Sequence, residues 1–184
     1  MTNLKTQGSV TLLLFLLLFL TVSASAQVSF APIAGTSAGS GPYVIYVADV
    51  NLDGNPDFVT SNYASSDVSV RLGDGAGGFA PPTFPIPPEV SVGTNPIGIY
   101  VADVNSDFYP DILIANFNSS DISVLFGDGT GDFPSSTTIP LGFSIGPASV
   151  FVANVNPDID TYPDILTANF DSDNVAVLFG DGLG

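Results

Sequence analysis

The stretch Val47-Ala48-Asp49-Val50-Asn51-Leu52-Asp53-Gly54-Asn55-Pro56-Asp57 decides the reading of this chain, because it returns twice more in modified form. Its head returns as Val101-Ala102-Asp103-Val104-Asn105 and again as Val152-Ala153-Asn154-Val155-Asn156. A second signature follows each copy: Arg71-Leu72-Gly73-Asp74-Gly75, Leu125-Phe126-Gly127-Asp128-Gly129 and Leu178-Phe179-Gly180-Asp181-Gly182. The chain is therefore an internal repeat with a period of about 50 residues, longer than the periods of about 33–47 residues typical of helical solenoids.

Within each unit the local signals are those of β-structure. Tyr43 to Val47 is rich in β-branched and aromatic residues, and a polar loop separates it from a second strand, Asp57 to Ser61. Asn62 to Ser66 reads as a turn, Val68 to Leu72 as a third strand, and the glycine-rich run 73–78 as another turn. A fourth strand, studded with prolines, is expected from Phe79 toward Ile86; the outermost position tolerates residues that lack an N–H donor. Runs such as Ile112-Leu113-Ile114 are apolar at consecutive positions, as a sheet covered on both faces requires. The expected fold is all-β: β-propeller blades of four antiparallel strands, three repeats in number and part of a larger propeller.

The loop between the first two strands carries the chemistry. Asp49, Asn51, Asp53 and Asp57 place side-chain oxygens at loop positions 1, 3, 5 and 9, and the carbonyl of Asn55 stands at position 7. Calcium takes six to eight oxygens, roughly 2.3–2.6 Å away, from such alternate positions of a tightly wound loop. Gly54 permits the positive φ that turns the chain around an ion. Turn chemistry alone, in which Asp and Asn bond their own backbone, does not demand this spacing in repeated copies. The second loop offers Asp103, Asn105, Asp107, Tyr109 (through its carbonyl) and Asp111, but Phe108 replaces the glycine, so a weaker or distorted site is expected. The third reads Asn154, Asn156, Asp158, Asp160 and Asp164. Position 1 has lost its carboxylate and two residues are added, leaving Asp158, Asp160 and Asp164 as the candidate ligands.

On these residues, 47–57 and 67–79 with their two echoes, the units resemble FG-GAP or VCBS repeats, the calcium-loop blades of integrin α-chain propellers and of many secreted repeat proteins. The resemblance implies a propeller with Ca2+ in its hairpin loops, serving adhesion, ligand recognition or scaffolding.

Composition bounds the function. The 184 residues carry 18 acidic and two basic side chains, a formal net charge of −16. Such a surface repels phosphate backbones and anionic lipid, which argues against nucleic-acid or membrane-surface binding and favours cations. There is no histidine and no cysteine, which removes histidine-based triads and disulfide staples. At the start, the polar run Met1 to Ser9 with Lys5 precedes an apolar run, Val10 to Val22, and the small residues Ser23-Ala24-Ser25-Ala26. That is the order of a secretory signal, with cleavage expected before Gln27. The apolar run is short against the roughly 20 residues that span a bilayer, so a retained anchor is the weaker reading.

The domain plan is thus a signal peptide at 1–26 and repeats over 27–184, with units near 43–90, 97–143 and 148–184. A stray outer strand is placed at 28–36, where Phe30-Ala31-Pro32 resembles Phe79-Ala80-Pro81. Three blades are fewer than the four to eight or so that close a ring, so the chain is read as a fragment of a longer array, or as a half that self-associates to complete a propeller. The function expected is a secreted, calcium-binding, non-catalytic binding, adhesion or scaffold module for an extracellular protein or glycan. The alternative is the propeller part of an extracellular carbohydrate-active enzyme. Asn118-Ser119-Ser120 is an N-glycosylation sequon, relevant in a eukaryotic secretory pathway.

Overall fold

The computed structural model describes residues 35–80, 89–143, 145–157 and 159–182. The expected signal peptide, Asp158 and most of the segment 28–36 lie outside the described residues. The unit Gly35–Gly184 contains twelve described strands and, among the described residues, no helix. The all-β expectation holds.

The first sheet runs in the order β1 (Pro42–Ala48), β2 (Asp57–Asn62), β3 (Asp67–Gly73) and β4 (Phe79–Ala80), with β5 (Glu89–Ser91) also paired to β3. The second is a four-stranded meander of β6 (Pro96–Ala102), β7 (Asp111–Asn116), β8 (Asp121–Phe126) and β9 (Ser135–Pro140). The third comprises β10 (Pro147–Ala153), β11 (Asp164–Asn169) and β12 (Asn174–Leu178). All pairings are antiparallel. The fourth strand expected from Phe79 begins as described, with β4 paired to the end of β3; the rest of that expectation, residues 81–88, lies outside the described residues, and the other end of β3 pairs with Glu89–Ser91.

The three units are built alike in detail. Each inner strand starts at a proline and carries a register shift just after it, between Pro42 and Val44, Pro96 and Gly98, and Pro147 and Ser149. The turn between second and third strands is locked by a buried asparagine. Asn62 Nδ2 donates to Asp67 Oδ1 (2.7 Å) and Ser69 Oγ (2.8 Å), Asn116 does the same to Asp121 and Ser123, and Asn169 donates to Asn174. These aspartates at the turns are therefore turn-locking groups.

The sheets stack through their inner strands, with β6 lying between β1 and β10. Because side chains alternate across a strand, β7 serves two cores at once. Ile112 and Ile114 pack with Val50, Val59, Val68 and Val70 of the first sheet. Leu113 and Ala115 pack with Val150 and Val152 of the third. Both faces of the middle sheet are thus covered, which is why β7 is buried along its whole length. Truncating Ile114→Ala is expected to destabilise the fold by about 2–5 kcal/mol, read as a lowered denaturation midpoint at an unchanged slope.

Candidate metal centre

The loop joining β1 to β2 is wound around its own side chains. The N–H groups of Asp53 and Gly54 donate to the two carboxylate oxygens of Asp49, at 3.1 and 2.8 Å. Asp53 N–H also reaches Asn51 Oδ1 at 3.2 Å, and Asn55 N–H donates to Asp53 Oδ1 at 2.8 Å. Asn51 Nδ2 closes the coil with a 3.1 Å bond to Asp53 Oδ2. Leu52 and Gly54 take left-handed backbone, φ 59° and 86°, and so bring positions 1, 3 and 5 to one side of a short coil. These amides hold the Asp53 carboxyl below its usual range, the N–H of Asn55 contributing most and Asn51 next.

The second loop repeats this arrangement. Asp103 accepts from the N–H groups of Ser106, Asp107 and Phe108 at 2.7, 3.2 and 2.8 Å. Tyr109 N–H donates to Asp107 Oδ1, and Asn105 Nδ2 bridges to Asp107 Oδ2. The expected distortion is absent: Phe108 adopts φ 72°, the conformation of Gly54, and turns its ring into solvent. The cost sits in the backbone, about 1–2 kcal/mol for an L-residue held left-handed.

The third loop resolves the register that the two added residues obscured. Asn156 Nδ2 donates to Asp160 Oδ2 at 3.0 Å, and Tyr162 N–H donates to Asp160 Oδ1 at 3.0 Å. Asp160 therefore stands where Asp53 and Asp107 stand, and Tyr162 takes the place of Asn55 and Tyr109. Asn154 departs from the pattern. Its Oδ1 accepts Asn156 N–H and its Nδ2 donates to the carbonyl of Asp160. Among candidates named from the sequence, Asp158 lies outside the described residues.

The position-9 aspartates share a different setting. Asp57, Asp111 and Asp164 are fully buried. Asp57 accepts from Val50 N–H (2.8 Å) and Gly73 N–H (2.7 Å). Asp111 accepts from Val104 (2.9 Å) and Gly127 (3.0 Å), and Asp164 from Val155 (2.8 Å) and Gly180 (2.9 Å). Each clamps the start of the loop to the end of the third strand. Burial pushes the Asp57 and Asp111 carboxyls up; the clamped amides oppose this, and the acidic side chains at positions 1 and 5 reinforce it.

The clamp glycines belong to the Gly-Asp-Gly signature, which from sequence reads as a turn. Their role is close approach: a Cβ on Gly73, Gly127 or Gly180 would collide with the carbonyl of Pro56, Pro110 or Pro163. The aspartate that follows does build a turn, since Asp74 Oδ1 accepts from Ala76 and Gly78 N–H, both at 2.8 Å.

Among the described residues, no three acidic side chains gather into one metal-binding cluster. The position-9 carboxylates are drawn into the sheet, and those at positions 1 and 5 are held by the loop's own N–H groups. The donors are nevertheless all hard oxygens, suited to calcium rather than to a soft metal. Each clamp oxygen accepts one hydrogen bond and keeps a second lone pair. In the third loop Asn156 Oδ1 is buried without a hydrogen-bond partner, a condition it shares with the Oδ1 atoms of the turn-locking Asn62, Asn116 and Asn169. The donor set fits a hard divalent cation.

Repeated antiparallel sheets stacked on their inner strands, each with an Asp/Asn coil at one corner, define a β-propeller-like repeat module. The family model of the FG-GAP-like repeat matches this chain twice, over residues 49–114 and 103–161. The chain belongs to the FG-GAP-like repeat family, a structural and binding module rather than a catalytic one. A search of curated proteins returned no match.

Two outcomes follow from this geometry. Phe108→Gly should raise stability by about 1 kcal/mol and Gly54→Ala lower it by a similar amount, both read from urea unfolding. The second concerns Asp111, whose folded pKa is raised. Its contribution is fully present below the ordinary carboxylate range and is lost as pH rises through the raised value. The stability gap between the parent and Asp111→Asn, measured in chelator, should therefore narrow from acid pH toward neutral pH.

Proposed function

We propose that the chain is an extracellular calcium-binding scaffold that presents a binding surface for a protein or glycan ligand. The observation that carries this reading is the recurrence of one Asp/Asn coil at the same corner of three sheets, each seated on a buried carboxylate clamp. Asp49, Asn51, Asp53, Asp57 and the carbonyl of Asn55 would hold the first ion. Asp103, Asn105, Asp107, Asp111 and the carbonyl of Tyr109 would hold the second. In the third loop Asn156, Asp160, Asp164 and the carbonyl of Tyr162 remain, with one carboxylate fewer at position 1. A bound ion supplies positive charge among carboxylates that otherwise repel one another, and it cross-links a loop in a chain that has no disulfide to do so.

The acidic composition and the signal-like residues 1–26 support export to a calcium-rich exterior, where weak sites of this kind are filled. The order of affinity follows from the loops: first the glycine-containing site, then the strained Phe108 site, then the loop with asparagine at position 1.

Calorimetric titration with calcium chloride should detect binding, and the melting midpoint should rise with calcium and fall on adding chelator, by about 2.7 kcal/mol of stability at a hundredfold excess over Kd. Asp49→Ala with Asp53→Ala should remove the tightest site and leave the others. A midpoint indifferent to both calcium and chelator would remove the metal from this account.

A further inference from the structure

The two linkers that carry the chain from one sheet to the next are anchored alike but differ at one position. In the first, the carbonyls of Asn95 and Thr94 accept the N–H groups of Phe117 and Asn118; in the second, those of Gly146 and Ile145 accept from Phe170 and Asp171. Asn95 and Gly146 are therefore equivalent, and both take left-handed backbone, φ 55° and 59°. Between the first and second sheets the Asn95 side chain bridges the junction. Its Nδ2 donates to the carbonyl of Tyr63 at 2.8 Å, and its Oδ1 accepts from Asn118 Nδ2.

Between the second and third sheets that bridge is missing. Gly146 has no side chain, and a Cβ there would lie 2.5 Å from Asp171 Oδ2. The carboxylate of Asp171, the counterpart of Asn118, thus stands where the Asn95 side chain stands in the first junction. The carbonyl of Phe117 is the counterpart of that of Tyr63. Among the described residues, neither this carbonyl nor the Asp171 carboxylate has a hydrogen-bond partner.

Phe117 and Asp171 line one cavity of about 300 Å³, together with Asn118, Ser119 and Phe143. Val92 and Leu141, whose N–H groups donate to the carbonyls of Ser66 and Ser120, open the two linkers, and the second linker is two residues longer. Phe143 stands in that added length, and its side chain is 100% exposed. Insertions confined to one repeat often mark the binding face of a repeat protein.

The chemistry of the cavity selects its occupant. A carboxylate and a carbonyl without donors call for N–H groups, and the unbalanced charge calls for a cation. Arg71, the only basic side chain among the described residues, is buried in the first sheet. The rings of Phe117 and Phe143 suit a cation carried on an apolar stem. An ammonium is compact and carries three donors, which matches a gap that a single amide group fills in the first junction.

We infer that the cavity receives a lysine side chain of a protein partner, its ammonium donating to the Asp171 carboxylate and to the Phe117 carbonyl. The inference rests on the reading of the chain as a binding scaffold. The cavity lies at the end of the sheets away from the metal loops, so this contact and calcium binding can fail separately.

Nuclear magnetic resonance titration of the isotope-labelled chain in calcium, with Nα-acetyl-lysine methylamide as the probe, tests this. Saturable shifts are expected at the amides of Phe117, Asn118, Phe143 and Asp171, and none with the Nε-acetylated form of the same compound. Asp171→Asn should weaken binding by about tenfold or more. Gly146→Asn combined with Asp171→Asn rebuilds the bridge of the first junction and should abolish binding, with the remaining amide spectrum as in the parent. A parent without saturable shifts at these amides overturns the inference. So do shifts that persist in the double variant, or a response to glucosamine as strong as that to the lysine compound.

Discussion

A carboxylate buried at the corner of each sheet is the constraint on which the rest of this structure depends. Asp57, Asp111 and Asp164 are removed from water, a step that costs several kcal/mol unless hydrogen bonds compensate. Compensation comes from two backbone amides per carboxylate, one at the loop start and one at the end of the third strand. The second amide reaches the carboxylate because its residue is glycine and can pass close to a prolyl carbonyl. One side chain thus sets where the first strand ends, where the second begins and where the third stops. The acidic coil is wound on that fixed point.

Stacking then follows from alternation along the strands. A sheet with apolar residues on both faces finds no resting place alone, and neighbouring sheets cover it. The middle sheet realises this fully, with Ile112 and Ile114 turned one way and Leu113 and Ala115 the other. Repetition carries the same logic to the flanking sheets, whose outer faces keep the same residue types although they remain exposed.

Much of this was legible in the sequence, for identifiable reasons. The strands were readable because Val, Ile and Phe cluster between Gly- and Asp-rich turns, and the coil because Asp49, Asn51 and Asp53 alternate. Three features were not readable. Asp57 looks like one more loop acid, since its clamp partner Gly73 lies 16 residues away and resembles an ordinary turn glycine. Phe108 argued for a distorted loop because propensity disfavours it at positive φ, yet the amide ladder onto Asp103 outweighs that preference. In the third loop two added residues blur the register, and only the hydrogen bond from Asn156 shows that Asp160 takes the position of Asp53 and Asp107. Spacing counts positions along a chain, and it cannot weigh a desolvated carboxylate against a solvated one.

The buried clamp and the proposed calcium site share one loop, and diffraction near the calcium absorption edge interrogates both together. Crystals grown in calcium should show an anomalous peak enclosed by Asp49, Asn51 and Asp53, with Asp57 still bonded to the amides of Val50 and Gly73. A well-ordered first loop with no peak, its carboxylates still holding only backbone N–H groups, would contradict it.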